Sequence, residues 1–217
     1  MKYYLFDCDG VIVDSEILAT RAALRALAPY GYTRSEEEHC RRFSGMMDTE
    51  IVALLSAELG VVFPPDFHSR LLADTEHQMR HELAPVAGMP DLLRALPLPL
   101  AVVSNSSLAH VERSLRRVGV WDRFEGRAFS SEQVARPKPF PDLYLHALAT
   151  LGIAAADTLV VEDSPTGVAA AKAAGLYVIG FLGASNVFDG HGEVLRARGA
   201  DALAADAAAL RSLLGLS

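Results

Sequence analysis

Four short, unbroken apolar runs, set far apart along the chain, constrain the fold more than any other feature of the sequence. A strand that is apolar at every position is buried on both faces, and alternation of such strands with helices is typical of a parallel sheet covered on both sides. The predicted fold class is therefore α/β, with a Rossmann-like parallel sheet. The predicted strands are 3–6, 100–103, 158–161 and 177–179, and the helices between the later ones are 108–118, 142–151 and 165–174.

The segment between the first and second strands differs, because it contains helical periodicity and no convincing strand pattern. We interpret residues 15–83 as an all-helical cap domain, inserted into an α/β core domain made of residues 1–14 and 84–217. The helical stretches of this insertion are predicted at 16–28, 35–43, 49–59 and 65–82.

Composition and charge narrow the class of partner. The formal net charge is -7, and basic runs are no longer than two residues, which argues against a nucleic acid or an anionic membrane as a partner.

The location and the redox state can also be predicted. Carboxylates occur from residue 7 onward, so the N-terminal segment lacks the long apolar run of a signal peptide, and a cytoplasmic location is expected. Two cysteines without a CxxC pattern predict no disulfide framework. A polar cap without an obvious apolar stripe favours a monomer.

Polar residues follow three of the four predicted strands. Asp7 and Asp9 come after the first strand, Ser104 and Asn105 after the second, and Glu162 with Asp163 after the third. In an open parallel sheet the carboxyl ends of the strands form one ligand-binding edge. Carboxylates gathered there would repel one another unless a cation lay between them, and all-oxygen ligation suits Mg²⁺.

Lys138 is a further candidate for this edge. It is one of three lysines in the chain and lies in the segment Arg136-Pro137-Lys138-Pro139, where prolines hold the backbone extended. A compact ammonium on a stiffened segment suits a point-charge contact with phosphate or carboxylate. An incidental surface lysine is the alternative interpretation.

Together these residues resemble the haloacid dehalogenase-like hydrolase superfamily, specifically its branch of small sugar-phosphate phosphatases and β-phosphoglucomutase relatives. Four elements occur in the order and spacing of that family, with a helical insertion after the first. They are Asp7-Cys8-Asp9-Gly10-Val11 with Asp14-Ser15-Glu16, then Ser104-Asn105-Ser106, then Lys138-Pro139 with Pro141-Asp142, and finally Glu162-Asp163-Ser164 with Gly167.

The resemblance implies a role for each motif. Asp7 would be the nucleophile that forms an aspartyl-phosphate, and Asp9 would be the general acid and then the general base. Mg²⁺ would be held by Asp7, the Asp9 backbone carbonyl and Asp163, with Glu162 bound directly or through water. The phosphoryl oxygens would be held by Ser104, Asn105 and Lys138. An acid at Asp9 should have a raised pKa, which desolvation under a closed cap would produce.

The stretch of the cap at residues 41–48 indicates which branch of the family the chain resembles. Its candidate specificity residues are Arg42, Ser44, Gly45 and Met46. β-Phosphoglucomutase-like enzymes carry basic residues around the equivalent glycine and a histidine on the first cap helix. In this chain the two basic positions are occupied by Ser44 and Asp48, and the histidine position by Ala19. These differences favour a phosphatase of small phosphorylated metabolites over a phosphomutase.

A phosphoacceptor signalling module is the alternative from another class of protein. Such modules also place acids, Mg²⁺, a hydroxyl residue and a lysine around one aspartate. They are shorter, carry the acceptor on a later strand and lack a helical insertion after the first strand. The order of elements in this sequence therefore favours the enzyme.

Overall fold

The sheet is the part of the molecule that positions the strand-end residues. The structure, a computed structural model, describes residues 2–43, 46, 48–97 and 99–216, apart from the side chains of residues 48 and 49. Its strands lie parallel in the order β3-β2-β1-β4-β5-β6. They are β1 (Tyr3–Phe6), β2 (Leu100–Ser104), β3 (Ala128–Ser130), β4 (Thr158–Glu162), β5 (Tyr177–Phe181) and β6 (Ala202–Ala204).

Ten α-helices connect and cover these strands within the described residues. The α/β class is confirmed, and so are the four long apolar strands and the helices predicted beside them. Three short helices, α5, α9 and α10, were not predicted. The helices are α1 (Glu16–Leu27), α2 (Glu36–Phe43), α3 (Asp48–Leu59), α4 (Phe67–Glu82), α5 (Met89–Ala95), α6 (Leu108–Arg117), α7 (Asp142–Leu151), α8 (Pro165–Ala173), α9 (His191–Ala197) and α10 (Ala207–Leu213).

Both faces of the sheet are buried, as the unbroken apolar runs require. Successive side chains of a strand point to opposite faces. Phe6 therefore packs in one apolar cluster with residues of α5, α6 and α10, while Leu5 packs in another with residues of α7 and α8. This two-sided core fixes the register of β1 against its neighbours.

Helices α1–α4 contain an apolar cluster of their own. It is centred on Leu27, Tyr32, Phe43, Leu55 and Phe67, each at most 5% exposed. A segment with its own buried cluster holds its shape through contacts within itself.

The chain enters and leaves this helical segment at adjacent points. Val13 and Pro85 form an antiparallel bridge, and the Asp14 amide donates to the Ala84 carbonyl at 3.0 Å. The Val86 amide donates to the Ile12 carbonyl at 3.0 Å, which extends the pairing. We refer to residues 12–14 and 84–86 as the hinge.

Across the described residues, no helix combines the length and the apolar character that crossing a bilayer requires.

Candidate active site

The strand order brings the predicted site residues together. β1 lies between β2 and β4, so the segments that follow Phe6, Val103 and Val161 meet at one edge of the sheet. The chain runs outward from β1 through β2 to β3, and then returns to place β4 on the other side of β1. Ligands of open α/β sheets bind where the strand order reverses in this way.

Lys138 is the centre of the charged network at this edge. Its Nζ donates to Asp7 Oδ1 at 2.8 Å, to Glu162 Oε1 at 2.6 Å and to the Val103 carbonyl at 2.7 Å. The side chain is 3% exposed, so these three acceptors satisfy an ammonium that water barely reaches. Burial lowers the pKa of Lys138, but the charges of Asp7 and Glu162 outweigh it and hold that pKa well above its usual range. Lys138 is therefore a buried, charged residue and not an incidental surface lysine.

Glu162 is held from both sides. Its Oε1 accepts from Lys138, and its Oε2 accepts from the amide and the hydroxyl of Ser164, both at 2.9 Å. Ser164 is also the N-cap of α8 and accepts from the Gly167 amide at 3.0 Å. A Cβ at Gly167 would lie 1.6 Å from Glu162 Oε1, so a side chain there would displace the carboxylate.

Three buried carboxylates, those of Asp7, Glu162 and Asp163, form a candidate metal centre. One oxygen from each lies within 4.8 Å of the others. Burial raises the pKa of Asp163 well above its ordinary value, and the negative charges of Glu162 and Asp7 add to this effect. Burial likewise raises the pKa of Asp7 to about 7, with Lys138 opposing and Glu162 and Asp9 reinforcing the rise. One ammonium does not balance three carboxylates, and a hard divalent cation fits an all-oxygen donor set of this kind.

Asp9 lies in a different environment from Asp7. Its Oδ1 accepts from Ser15 Oγ at 2.6 Å and lies 3.2 Å from His110 Nε2, and its Oδ2 accepts from Ser106 Oγ at 2.7 Å. Burial raises the pKa of Asp9, but the hydrogen bond and charge of His110 and the two serine hydroxyls prevail, so the pKa is lowered. The expectation of a raised pKa at Asp9 is therefore wrong for this structure, because these donors stabilise the ionised carboxylate.

The segment after β2 is locked against the segment that carries Lys138. The Asn105 side chain donates to the Lys138 carbonyl and accepts from the Lys138 amide, both at 3.0 Å. The Asn105 carbonyl accepts from Ser131 Oγ at 2.7 Å. The Asn105 side chain therefore positions Lys138, while Ser104 Oγ, which accepts from the Ser106 amide at 3.1 Å, faces the same edge.

A cavity of about 470 Å³ lies over this edge, within the range of about 300–1,000 Å³ that small-molecule sites occupy. Polar groups of the strand ends line one side, and apolar side chains of α1, α3 and α4 line the other. Two lining residues have a buried atom without a hydrogen-bond partner among the described residues: Asn186 Oδ1 and His191 Nδ1. His191 is held through its other nitrogen, which lies 2.7 Å from the Asp163 carbonyl oxygen.

The predicted cap residues have different positions. Met46 lines the cavity and packs against the apolar cluster of the helical segment. Arg42 instead pairs with Glu58 and lies over the Phe43 ring at 4.9 Å, and it is not among the described residues that line the cavity. Ser44 and Gly45 lie outside the described residues.

Sequence reasoning named Ser15 and Ser106 only as members of motifs, without a role, and it missed His110, the third donor to Asp9. Ser106 directly follows two predicted site residues, and His110 lies in the first turn of the helix that follows them. A helix that follows one of the central strands begins at the ligand-binding edge of the sheet. The place of His110 in the first turn of such a helix could therefore have indicated that it lies at the site.

The fold and the site define an α/β protein with an acid cluster and a buried lysine where the strand order of its parallel sheet reverses. The sequence profile of the haloacid dehalogenase-like hydrolases matches residues 4–181. The chain belongs to that family, and the predicted family is confirmed.

Individual relatives agree with this assignment. The chain is 31% identical to the 6-phosphogluconate phosphatase of Escherichia coli over 177 residues, which cover 81% of this chain and 80% of the relative. It is 29% identical to a phosphorylated carbohydrates phosphatase of Thermotoga maritima over 180 residues, 81% of this chain and 82% of that one. A solved haloacid dehalogenase-like protein of Agrobacterium tumefaciens superimposes with a TM-score of 0.94 at 32% identity, covering 99% and 98% of the two chains.

Proposed function

We propose that this protein is a Mg²⁺-dependent phosphatase that hydrolyses small phosphorylated metabolites, namely sugar, sugar-acid or polyol phosphates, through an aspartyl-phosphate on Asp7. Its enzyme class, a phosphoric monoester hydrolase, follows from the family and from relatives that are named phosphatases. A cytoplasmic location and a monomeric state stay predictions.

One observation supports the proposal more than any other: a buried ammonium contacts the candidate nucleophile within a cluster of buried carboxylates. Lys138 Nζ lies 2.8 Å from Asp7 Oδ1, and the cavity opens over the same edge. A carboxylate that attacks a phosphate dianion needs positive charge beside it to offset the repulsion. Lys138 supplies part of this charge.

Mg²⁺ would supply the rest by neutralising the carboxylates and the phosphoryl oxygens when it is bound. The residues that would hold it are Asp7, the Asp9 backbone carbonyl and Asp163. Both Glu162 oxygens already accept hydrogen bonds from Lys138 and Ser164. We therefore assign Glu162 the role of orienting Lys138 and contributing negative charge, and it would contact the metal directly or through water.

In the first step Asp7 attacks phosphorus, and the bond from phosphorus to the leaving oxygen breaks. Ser104 and the Asn105 backbone amide would bind the phosphoryl oxygens. Lys138 would stabilise their negative charge, and it would have to give up one of its three present acceptors to donate to a phosphoryl oxygen. A phosphate dianion bound beside Asp9 raises the pKa of that carboxyl, because like charges disfavour ionisation. Protonation of Asp9 then accompanies substrate binding, and Asp9 gives this proton to the departing alkoxide.

In the second step Asp9, now ionised, takes a proton from water, which attacks the phosphorus of the aspartyl-phosphate and releases Asp7. The donors that lower the pKa of Asp9 keep this carboxyl ionised in the free protein, which is the protonation state that a general base requires.

In this proposal, helices α1–α4 (residues 15–83) form the cap domain. Their apolar side chains face the carboxylates across the cavity. Exclusion of water from such a cavity strengthens the charge interactions at the strand ends. The cap would select the organic part of the substrate, while the α/β core carries out the chemistry.

The test is phosphate release from a panel of sugar, sugar-acid and polyol monophosphates, measured with Mg²⁺ and with a chelator. We expect release that requires Mg²⁺ and is lost in Asp7→Asn, which keeps the shape of the side chain but removes the nucleophile. Asp157→Asn is the matched control, since Asp157 forms an exposed pair with Lys2 at 3.0 Å far from the site.

Appreciable Mg²⁺-dependent turnover by Asp7→Asn would contradict the covalent mechanism. Absence of release by the wild type, combined with interconversion of a hexose 1-phosphate and 6-phosphate in the presence of a bisphosphate primer, would establish the phosphomutase instead.

A further inference from the structure

We propose that His110 is a positioning residue that holds the Asp9 carboxylate in the orientation needed for proton transfer to the leaving group. This inference rests on the proposed phosphatase function. It assigns His110 no contact with the substrate.

The first argument is the geometry around Asp9. Three donors from three separate segments meet on one carboxylate: Ser15 at the start of α1, Ser106 after β2, and His110 on α6. Ser15 and His110 contact Oδ1, and Ser106 contacts Oδ2. A carboxylate held at both of its oxygens has little freedom to rotate, and proton transfer depends on such alignment.

The second argument is where His110 lies. Asp9 and Ser106 line the cavity, but His110 is not among the described residues that do so. Its side chain is 19% exposed and that of Asp9 is 17% exposed, so the contact between them is largely shielded from water. His110 therefore acts on the substrate through Asp9.

The third argument is that His110 is itself held by the core. It lies in the first turn of α6, whose N-cap Ser107 accepts from the His110 amide at 3.3 Å. Its Nε2 also lies 3.4 Å from Ser114 Oγ, one turn further along the same helix. Because α6 packs on β3 and in the core cluster, the core holds the imidazole in place.

The test uses the dependence of the rate on the leaving group. An alkoxide leaves only with a proton, whereas p-nitrophenolate leaves readily without one. The ratio kcat/KM covers the steps up to formation of the aspartyl-phosphate, so a misplaced Asp9 lowers it for an alkyl phosphate and spares it for p-nitrophenyl phosphate. A residue with only a structural role would affect both substrates equally.

The probes are p-nitrophenyl phosphate and whichever of glucose 6-phosphate, sorbitol 6-phosphate and glycerol 1-phosphate the wild type hydrolyses fastest. For His110→Ala we expect a loss in kcat/KM of about 10- to 100-fold on the alkyl phosphate and less than about threefold on the aryl phosphate, with KM nearly unchanged. His77→Ala is the control, since His77 is exposed on α4. It should change neither value.

Two further variants keep the test decisive if His110→Ala does not fold. The amide of Gln reaches about as far as histidine Nε2, whereas that of Asn is one methylene shorter. His110→Gln should retain most activity on the alkyl phosphate, and His110→Asn should lose it. Equal losses on both substrates, no loss on the alkyl phosphate, or identical behaviour of the Gln and Asn variants would overturn the role of His110. Failure of the wild type to hydrolyse any probe would instead overturn the proposed function and, with it, this inference.

Discussion

The ion pairs of Lys138 and Lys172 differ in burial, and burial determines how much each contributes to stability. Lys138 and Glu162 form their pair with side chains that are 3% and 0% exposed, whereas the Lys172–Asp201 pair is 32% and 29% exposed. Removing one partner of a buried pair leaves a charge that water cannot solvate. Removing one partner of a partly exposed pair leaves a charge that water screens.

Lys138→Met should therefore destabilise the protein by about 3–5 kcal/mol at pH 8, and Lys172→Met by about 0–1 kcal/mol. The loss at position 138 should shrink at pH 5, because protonation of Asp7 and Asp163 removes the uncompensated charge. Urea denaturation of both variants in chelator measures the difference. Equal losses in the two variants at pH 8 would show that Lys138 is not a buried counter-ion.

At the residue scale, the sequence was informative where strand ends determine the position of a side chain. The convergence of Asp7, Ser104 and Asp163 follows from three apolar runs that become neighbouring parallel strands. The contacts of Glu162 with Lys138 and of His110 with Asp9 could not be predicted in the same way. They depend on how far a loop or a helix turns after the strand, and the periodicity of the sequence does not contain that angle.

At the scale of elements, the cavity has two chemically different walls. Leu27, Leu55 and Phe67 contribute an apolar wall from the helical segment. The opposite wall carries the carboxylates of the strand ends, and Lys138 is the one lysine or arginine among the described lining residues. A substrate with one phosphate and an uncharged organic part suits this arrangement better than one with a second anionic group.

Sorbitol 6-phosphate and 6-phosphogluconate test this selectivity, because they differ at one end by a hydroxymethyl group in place of a carboxylate. We expect kcat/KM to favour the sorbitol ester by about tenfold or more, corresponding to ~1.4 kcal/mol. The preference should diminish as salt screens the charges. A preference for 6-phosphogluconate would contradict this inference from the cavity walls.

At the scale of elements, the sequence pattern predicted the longer strands and helices but not the shortest ones. The four strands that were predicted are long, apolar and close to the centre of the sheet. β3 and β6 are the edge strands, with three residues each, and helices α5, α9 and α10 have seven residues each. Elements this short contain less than two full periods of a helix or strand pattern, so tertiary packing defines them more than local sequence does.

At the scale of the whole molecule, the buried carboxylates make stability depend on pH and on cations. Asp7 and Asp163 have raised pKa values in the folded protein. Between about pH 4 and the folded pKa, the native state holds protons that the unfolded chain has released, so stability falls as pH rises. Asp9, whose pKa is lowered, has the opposite effect, and its window lies below about pH 4.

Mg²⁺ should therefore raise the melting temperature more at pH 8 than at pH 5.5. With Mg²⁺ well above its dissociation constant we expect a shift of about 3–6 °C at pH 8 and less than half of that at pH 5.5. Calorimetry in MgCl₂ or in chelator, at matched ionic strength, measures the shift. Asp163→Asn should lose most of it, and a shift that is equal at both pH values would contradict the proposed metal centre.

The hinge has a consequence for how the molecule can change over evolutionary time. Because the outgoing and returning chains pair at Val13 and Pro85, both covalent connections between the helical segment and the sheet pass through one seam. The order of the strands in the sheet does not depend on which segment is inserted at the hinge. Lengthening, shortening or exchanging the helices beyond Ser15, which holds Asp9, would leave the register of the sheet and the three clustered carboxylates in place, so the cap wall of the cavity can change while the strand-end residues stay the same.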